Sequence, residues 1–249
     1  MIVEGRFKVV MLIPALVMAA AVQSATAQQP QPAYTLTVTK EGGTFLNLKA
    51  KDAKLADVAA DIGRRLNAKV ILGASLKDEK ITTEFAGTPI EPAMLALAPR
   101  VYIDYELRKD VLPAPLGIYL LSLDDPMPSP SAVVQGNSQG LFVSGNTEDN
   151  GQPPKDAPLR IIYNRGRLTV FAKEQPLMAV VLSIAEELGV PAEVKHETRE
   201  IINADIRETP TIEEALTGLS DSVRVYIREN AAGSDKQLLR IVIAGPAAK

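Results

Sequence analysis

The sequence predicts an α+β protein, and three observations predict it. Residues 45–121 recur, in altered letters, at 167–243. Most of each copy alternates apolar and polar residues at period two, the signature of half-buried strands. Each copy breaks that alternation with only two helical patterns, so the helices are expected to pack against one or both sides of small sheets. Displacing the second copy by 122 residues superposes the apolar positions: Leu46, Leu48 and Ala50 fall on Leu168, Val170 and Ala172. Leu55, Val58, Ala59, Ile62 and Leu66 fall on Leu177, Val180, Val181, Ile184 and Leu188, and Ile90, Ala93, Met94 and Leu97 on Ile212, Ala215, Leu216 and Leu219.

Each copy opens with a strand pair, 34–38 with 45–50 and 159–163 with 168–172, joined by glycine-bearing turns. A helix of about three turns follows, carrying the five-residue apolar stripe given above. Asn67 and Gly189 stand at the same place after its last apolar residue. Both residue types tolerate the left-handed conformation of a helix C-terminus, which sets the boundary twice. Strands are expected at 69–72, 80–85, 192–194 and 202–206. Thr88-Pro89-Ile90-Glu91 and Thr211-Ile212-Glu213-Glu214 read as capping boxes for a short second helix, with Thr209-Pro210 a competing start in the second copy. Strands through 101–107 and 118–123, and through 223–227 and 238–243, close the units, so the order is β-β-α-β-β-α-β-β twice.

Around the copies lie segments of different composition. Residues 1–27 combine Arg6 and Lys8, an apolar run over 9–22, and Ala25-Thr26-Ala27, the pattern of a secretory signal peptide cut before Gln28. The apolar run is shorter than the ~20 residues of a membrane helix, so stable membrane insertion is not expected after cleavage. Residues 28–33 are expected to be disordered, 34–123 and 159–245 to be the two domains, and 124–158, rich in proline, glycine and serine, to be a flexible linker. Each domain carries its own set of core positions and the linker little apolar surface, so the two are expected to fold separately. The chain has no cysteine, which excludes disulfides and thiolate metal sites. Its net charge is −3, or −4 once Glu4, Arg6 and Lys8 are removed, with no long run of one sign. Nucleic acid is therefore not an expected partner.

The runs "LNLKAKDAKLADVAADIGRRLNAKVIL", "ITTEFAGTPIEPAMLAL" and "VYIDYEL" resemble the secretin and TonB N-terminal short domain, as do "LTVFAKEQPLMAVVLSIAEELGVPAEV" and "INADIRETPTIEEALTGL". The resemblance covers about two thirds of the chain after residue 27, and its pattern is structural, without a required chemical residue. It implies a periplasmic domain that makes protein–protein contacts at the front of secretins or TonB-dependent receptors. Unlike those proteins, this chain has two copies and only residues 244–249 after them, so it is not expected to form a pore or receptor itself. The resemblance implies a non-enzymatic adapter or regulator of an envelope machine, such as a secretin-based export or pilus system. Its partner would be a secretin or an inner-membrane component. The alternative is an envelope signalling regulator that senses a ligand in a pocket between its sheets.

Candidates for chemistry are few. His196, the single histidine, falls in a polar loop and has neither an orienting partner nor a nucleophile near it in the pattern. Zinc needs three or four ligands, so no metal is expected, and no cofactor motif is present. Asp124-Asp125 and Glu148-Asp149 read as solvated linker charges. Phe171 alternates away from Val170 and Ala172, where its counterpart is Lys49, and reads as a hairpin packing residue or a contact. The residues opposite the core set of the penultimate strand are Arg224, Tyr226 and Arg228 in one copy and Tyr102, Asp104, Glu106 and Arg108 in the other. Tyrosine and arginine are enriched at interface hot spots, so Arg224, Tyr226, Arg228 and Tyr102 are the expected protein-binding residues; an ordinary solvated sheet face is the plain alternative.

Overall fold

A computed structural model describes residues 32–129, 157–164, 166–207, 211–233 and 235–245. The expected signal peptide and most of the expected linker lie outside the described residues. The architecture is α+β, with the strand and helix order expected from the sequence. In the first half β1 (Tyr34–Thr39), β2 (Phe45–Lys54), α1 (Leu55–Leu66), β3 (Lys69–Leu72), β4 (Lys80–Pro89), α2 (Ile90–Leu95), β5 (Arg100–Arg108) and β6 (Val111–Leu121) follow one another. In the second come β7 (Leu159–Asn164), β8 (Arg167–Pro176), α3 (Leu177–Leu188), β9 (Ala192–Val194), β10 (Ile201–Ile206), α4 (Ile212–Leu219), β11 (Val223–Asn230) and β12 (Lys236–Ile243).

Each half builds a small antiparallel sheet, β1-β2-β4 and β10-β8-β7. The remaining six strands form one sheet in the order β3-β6-β5-β11-β12-β9. Its centre is the antiparallel pair β5–β11, with Tyr105 opposite Ile227, Asp104 opposite Arg228 and Glu106 opposite Tyr226. The copies are joined more closely than an expectation of separate units implies: the described residues from 33 to 245 belong to one compact unit, with a sheet running through both copies. The apolar core is likewise continuous. Leu46, Leu55, Ile62 and Ile103 belong to the same buried cluster as Leu168, Leu177, Ile184 and Val225. Helices α1 and α3 contact strands of both their own small sheet and the large one, and α4 reaches across to β5.

Local chemistry explains the element boundaries. α1 and α3 end on Asn67 and Gly189 at φ 56° and 64°, the left-handed termini that the aligned sequences predict. α4 begins at the N-cap Thr211, whose hydroxyl accepts a hydrogen bond from the Glu214 amide at 3.2 Å. The capping box expected at Thr88 does not form. Thr88 stays in β4, and Pro89, in the place of Thr211, is the N-cap and has no side chain that can cap. The strands entering α1 and α3 share a kink not foreseen from the sequence: Asp52 and Glu174, one repeat apart, have φ of 51° and 50°. Their amides are satisfied from the paired strand, by Thr82 Oγ1 at 3.1 Å and Asn203 Oδ1 at 2.9 Å. Such a position costs about 1–3 kcal/mol in a non-glycine residue and persists where the surroundings determine it.

Two expected boundaries move. Ala33, placed in the disordered stretch, accepts a hydrogen bond from the Lys51 amide at 2.9 Å. The start of the expected linker is also tied down. Asp125, expected to be a solvated charge, accepts from the Ser122 amide and hydroxyl, both at 2.8 Å. These bonds hold its carboxyl below the usual carboxylate range. Arg100 donates to the carbonyls of Leu123 and Asp125. Gly73 permits the approach, because a Cβ there would lie 1.9 Å from Asp125 Oδ2.

Candidate functional site

The six-stranded sheet has two faces of opposite character. One presents Val101, Ile103, Tyr105, Val223, Val225 and Ile227 to the core. The other presents the residues expected to meet a partner, and two of those four, Tyr226 and Arg228, are not on the surface. Tyr226 and Arg228 are buried, Arg228 to 2 % exposure, and Asp104 beside it to 0 %. Tyr102 and Arg224 are half-buried. Charged groups tolerate such burial only when paired and hydrogen-bonded, so this face is organised inward.

Arg228 shows how complete that pairing is. Its Nε donates to Asp104 Oδ1 at 2.6 Å and its Nη2 to Asp104 Oδ2 at 2.9 Å, the two-pronged geometry of an arginine–carboxylate pair. Nη2 also donates to the Tyr119 hydroxyl at 3.1 Å, and Nη1 to the carbonyls of Pro128 and Ser129 at 2.5 and 3.2 Å. A guanidinium has five N–H groups, and these five contacts use them all. The Tyr119 hydroxyl in turn donates a hydrogen bond to Asp104 Oδ2 at 2.9 Å, and its ring lies 4.8 Å from the guanidinium carbon. Burial works against the Arg228 charge, but the hydrogen bonds and charge of Asp104 outweigh it and raise the guanidinium's pKa. Burial and then the Asp104 charge push the Tyr119 phenol well above its ordinary value.

A second cluster lies on the other side of the β5–β11 axis. Tyr226 donates to Glu106 Oε2 at 2.7 Å, and Arg108 donates to the other oxygen of the same carboxylate. Arg224 approaches that oxygen at 3.9 Å. Arg240 sits over the Tyr226 ring at 5.7 Å and donates to Glu193 at 2.7 Å. Burial, followed by the hydrogen bond to Glu106, raises the Tyr226 phenol. Tyr119, Arg240 and Glu193 were missed by sequence reasoning. The signal available was Asp104 and Arg228, whose charges are complementary once the two strands are laid antiparallel.

The other candidates sort simply. His196 is exposed, with its ring near Gly245. Phe171 lies opposite Arg160 on β7 and packs under that guanidinium at 5.7 Å, whereas its counterpart Lys49 pairs with Glu84 at 3.2 Å. Among the described residues no group of three histidines or carboxylates could hold a metal ion, and no described helix is long and apolar enough to cross a membrane. A cleft of about 380 Å³ opens between the β1–β2 turn (Lys40, Gly43), the end of α1 (Asn67) and the β5–β6 hairpin, with Glu106, Arg108 and Leu112 on its wall. No family model, no curated protein and no solved structure matches the chain.

Proposed function

We propose that this chain is a non-enzymatic periplasmic interaction protein, an adapter or regulator of an envelope machine such as a secretin-based export or pilus system. Its halves would be two tandem short domains of the secretin and TonB N-terminal type, joined by the segment around 130–156. The observation that carries the reading is the pair of small sheets. Among the described residues their outer strands, β1 and β4 in one and β7 and β10 in the other, each have a neighbour on one side only. An open strand edge is a ready template for an extended segment of another protein. Ile201, 56 % exposed on β10, adds an apolar contact at such an edge. Export is supported by the basic, apolar and small-residue pattern of residues 1–27.

Affinity capture of the mature full-length chain from envelope fractions tests this. A secretin or an inner-membrane assembly component is expected at near-stoichiometric yield, and an Ile201→Lys variant should capture less, because an edge lysine opposes strand addition. Absence of any stoichiometric envelope protein overturns the proposal. The cleft beside Glu106 and Arg108 favours a second reading, ligand-sensing in an envelope signalling regulator, since its wall draws on both a small-sheet turn and the large sheet.

A further inference from the structure

The β5–β11 pairing has the form of a two-fold interface between the copies. Tyr105 and Ile227, one repeat of 122 residues apart, face each other directly. Every other pair is then related to a mirror pair across that point. Position 104 meets 228 and position 106 meets 226, and 226 and 228 are the repeat counterparts of 104 and 106. If both copies carried the same letters, this geometry would let either copy pair with another of its own kind, as in an isologous dimer. The letters differ. The first copy supplies Asp104 and Glu106, the second Tyr226 and Arg228.

We infer that this seam is a two-fold pairing surface made heterotypic by Asp104, Glu106, Tyr226 and Arg228, so that each copy accepts the other and rejects its own kind. First copy against first copy would set Asp104 opposite Glu106 twice, four carboxylates without the arginine that now neutralises Asp104. Like charges directly opposite on paired strands are destabilising, the more so where buried. Second copy against second copy would bury two Arg228 guanidinium groups with no carboxylate from the facing strand. Only the mixed pairing supplies Asp104 to Arg228 and Glu106 to Tyr226 together. Repulsion in the wrong pairing is how specificity is built when attraction alone would permit several partners. The consequence is that the two pairing strands of one chain satisfy each other. A chain with two self-compatible strands would instead join its neighbours into open arrays. This inference concerns contacts within the chain and does not depend on the proposed envelope partner.

The absence of cysteine makes the test direct. Tyr102 and Asn230 are register partners at the end of the seam, and both are half-buried. A full-length Tyr102→Cys/Asn230→Cys reporter should oxidise within one chain, read as monomer mass with loss of free thiols. Adding Tyr226→Asp and Arg228→Glu gives the second copy the first copy's letters and should slow that oxidation at least tenfold. Adding Asp104→Tyr and Glu106→Arg to those exchanges the two sets; by the two-fold geometry it should restore oxidation to near the reporter's rate. Unchanged oxidation in the acidic variant, or no recovery in the exchanged one, overturns the inference. The reporter with Ile184→Ala, a core change away from the seam, should keep its cross-link; equal loss there would trace the effect to general unfolding and overturn it as well.

Discussion

The two faces of the central strands obey different rules, although the same residues alternate between them. On the core face the copies agree: Val101, Ile103 and Tyr105 stand where Val223, Val225 and Ile227 stand. On the opposite face they disagree at every position, Tyr102, Asp104 and Glu106 against Arg224, Tyr226 and Arg228. Each core face packs under helices, so the same shape serves both halves. The polar faces meet each other across the seam, and there identical letters would fail. On these two strands, therefore, the face that packs under helices keeps its apolar character in both copies, and the face whose side chains pair across the seam does not.

The sharpest way to break this contrast is to remove one member of the buried pair. Arg228→Ala should cost about 3–5 kcal/mol in unfolding free energy, because Asp104 is left charged and buried. Arg224→Ala, on the same face but at 3.9 Å from its carboxylate and partly exposed, should cost no more than about 1 kcal/mol. Replacing the pair together, Arg228→Met with Asp104→Leu, should recover much of the loss, since apolar side chains of similar volume often substitute for a buried ion pair without penalty. Urea unfolding of the three variants measures all of this. Equal costs for Arg228→Ala and Arg224→Ala would mean that the polar face is solvated.

Much of the fold is legible in the sequence because period and capping chemistry are local. The five-residue stripe of α1 and α3, and the shared terminus at Asn67 and Gly189, need only neighbouring residues to be recognised. The kinks at Asp52 and Glu174 are not legible, because Thr82 and Asn203, which satisfy them, are on another strand some 30 residues away. The seam escapes for a different reason. A strand buried on both faces is recognised by continuous apolar character, but β5 and β11 bury their second face with charges in pairs. Alternation then looks like exposure, and Tyr226 and Arg228 read as a surface open to a partner. Asp125 escapes similarly: a carboxylate among prolines and serines looks solvated until Ser122 and Gly73 are seen beside it.

Alkaline titration separates the faces by a smaller effect. Tyr105, Tyr119 and Tyr226 all have phenols raised above the ordinary value, first by burial and then by Glu91, Asp104 and Glu106 respectively. An acid whose pKa is raised on folding favours the folded state while its proton is held in both states. Stability should therefore be unaffected by these phenols below about pH 10, where they are protonated in the unfolded chain as well, and should fall as pH rises beyond that value. Tyr119→Phe/Tyr226→Phe should weaken the protein at pH 8 through the lost hydrogen bonds yet show a shallower decline between pH 10 and 11. Urea midpoints across that range give the slopes; identical slopes for parent and double variant would remove the polar face from the alkaline response and leave Tyr105 in the core.

The smallest effect compares two threonines that look equivalent as capping residues. Thr211 accepts from the Glu214 amide and so satisfies one of the orphan donors at the start of α4. Thr88 lies one residue before the N-cap of α2, and its hydroxyl turns back to donate to the Ala86 carbonyl at 3.4 Å, a long and weak contact. Thr211→Ala should therefore cost about 1 kcal/mol, while Thr88→Ala should fall within about 0.5 kcal/mol of the parent. Pro89→Thr places a hydroxyl at the position that Thr211 occupies in the second half, with the Pro92 nitrogen standing where the Glu214 amide would donate. Because that nitrogen carries no hydrogen, the substitution should not stabilise α2 unless Pro92→Glu accompanies it. A gain from Pro89→Thr alone would mean that α2 finds its cap elsewhere in the turn, and the two halves would then differ less in their second helices than these contacts indicate.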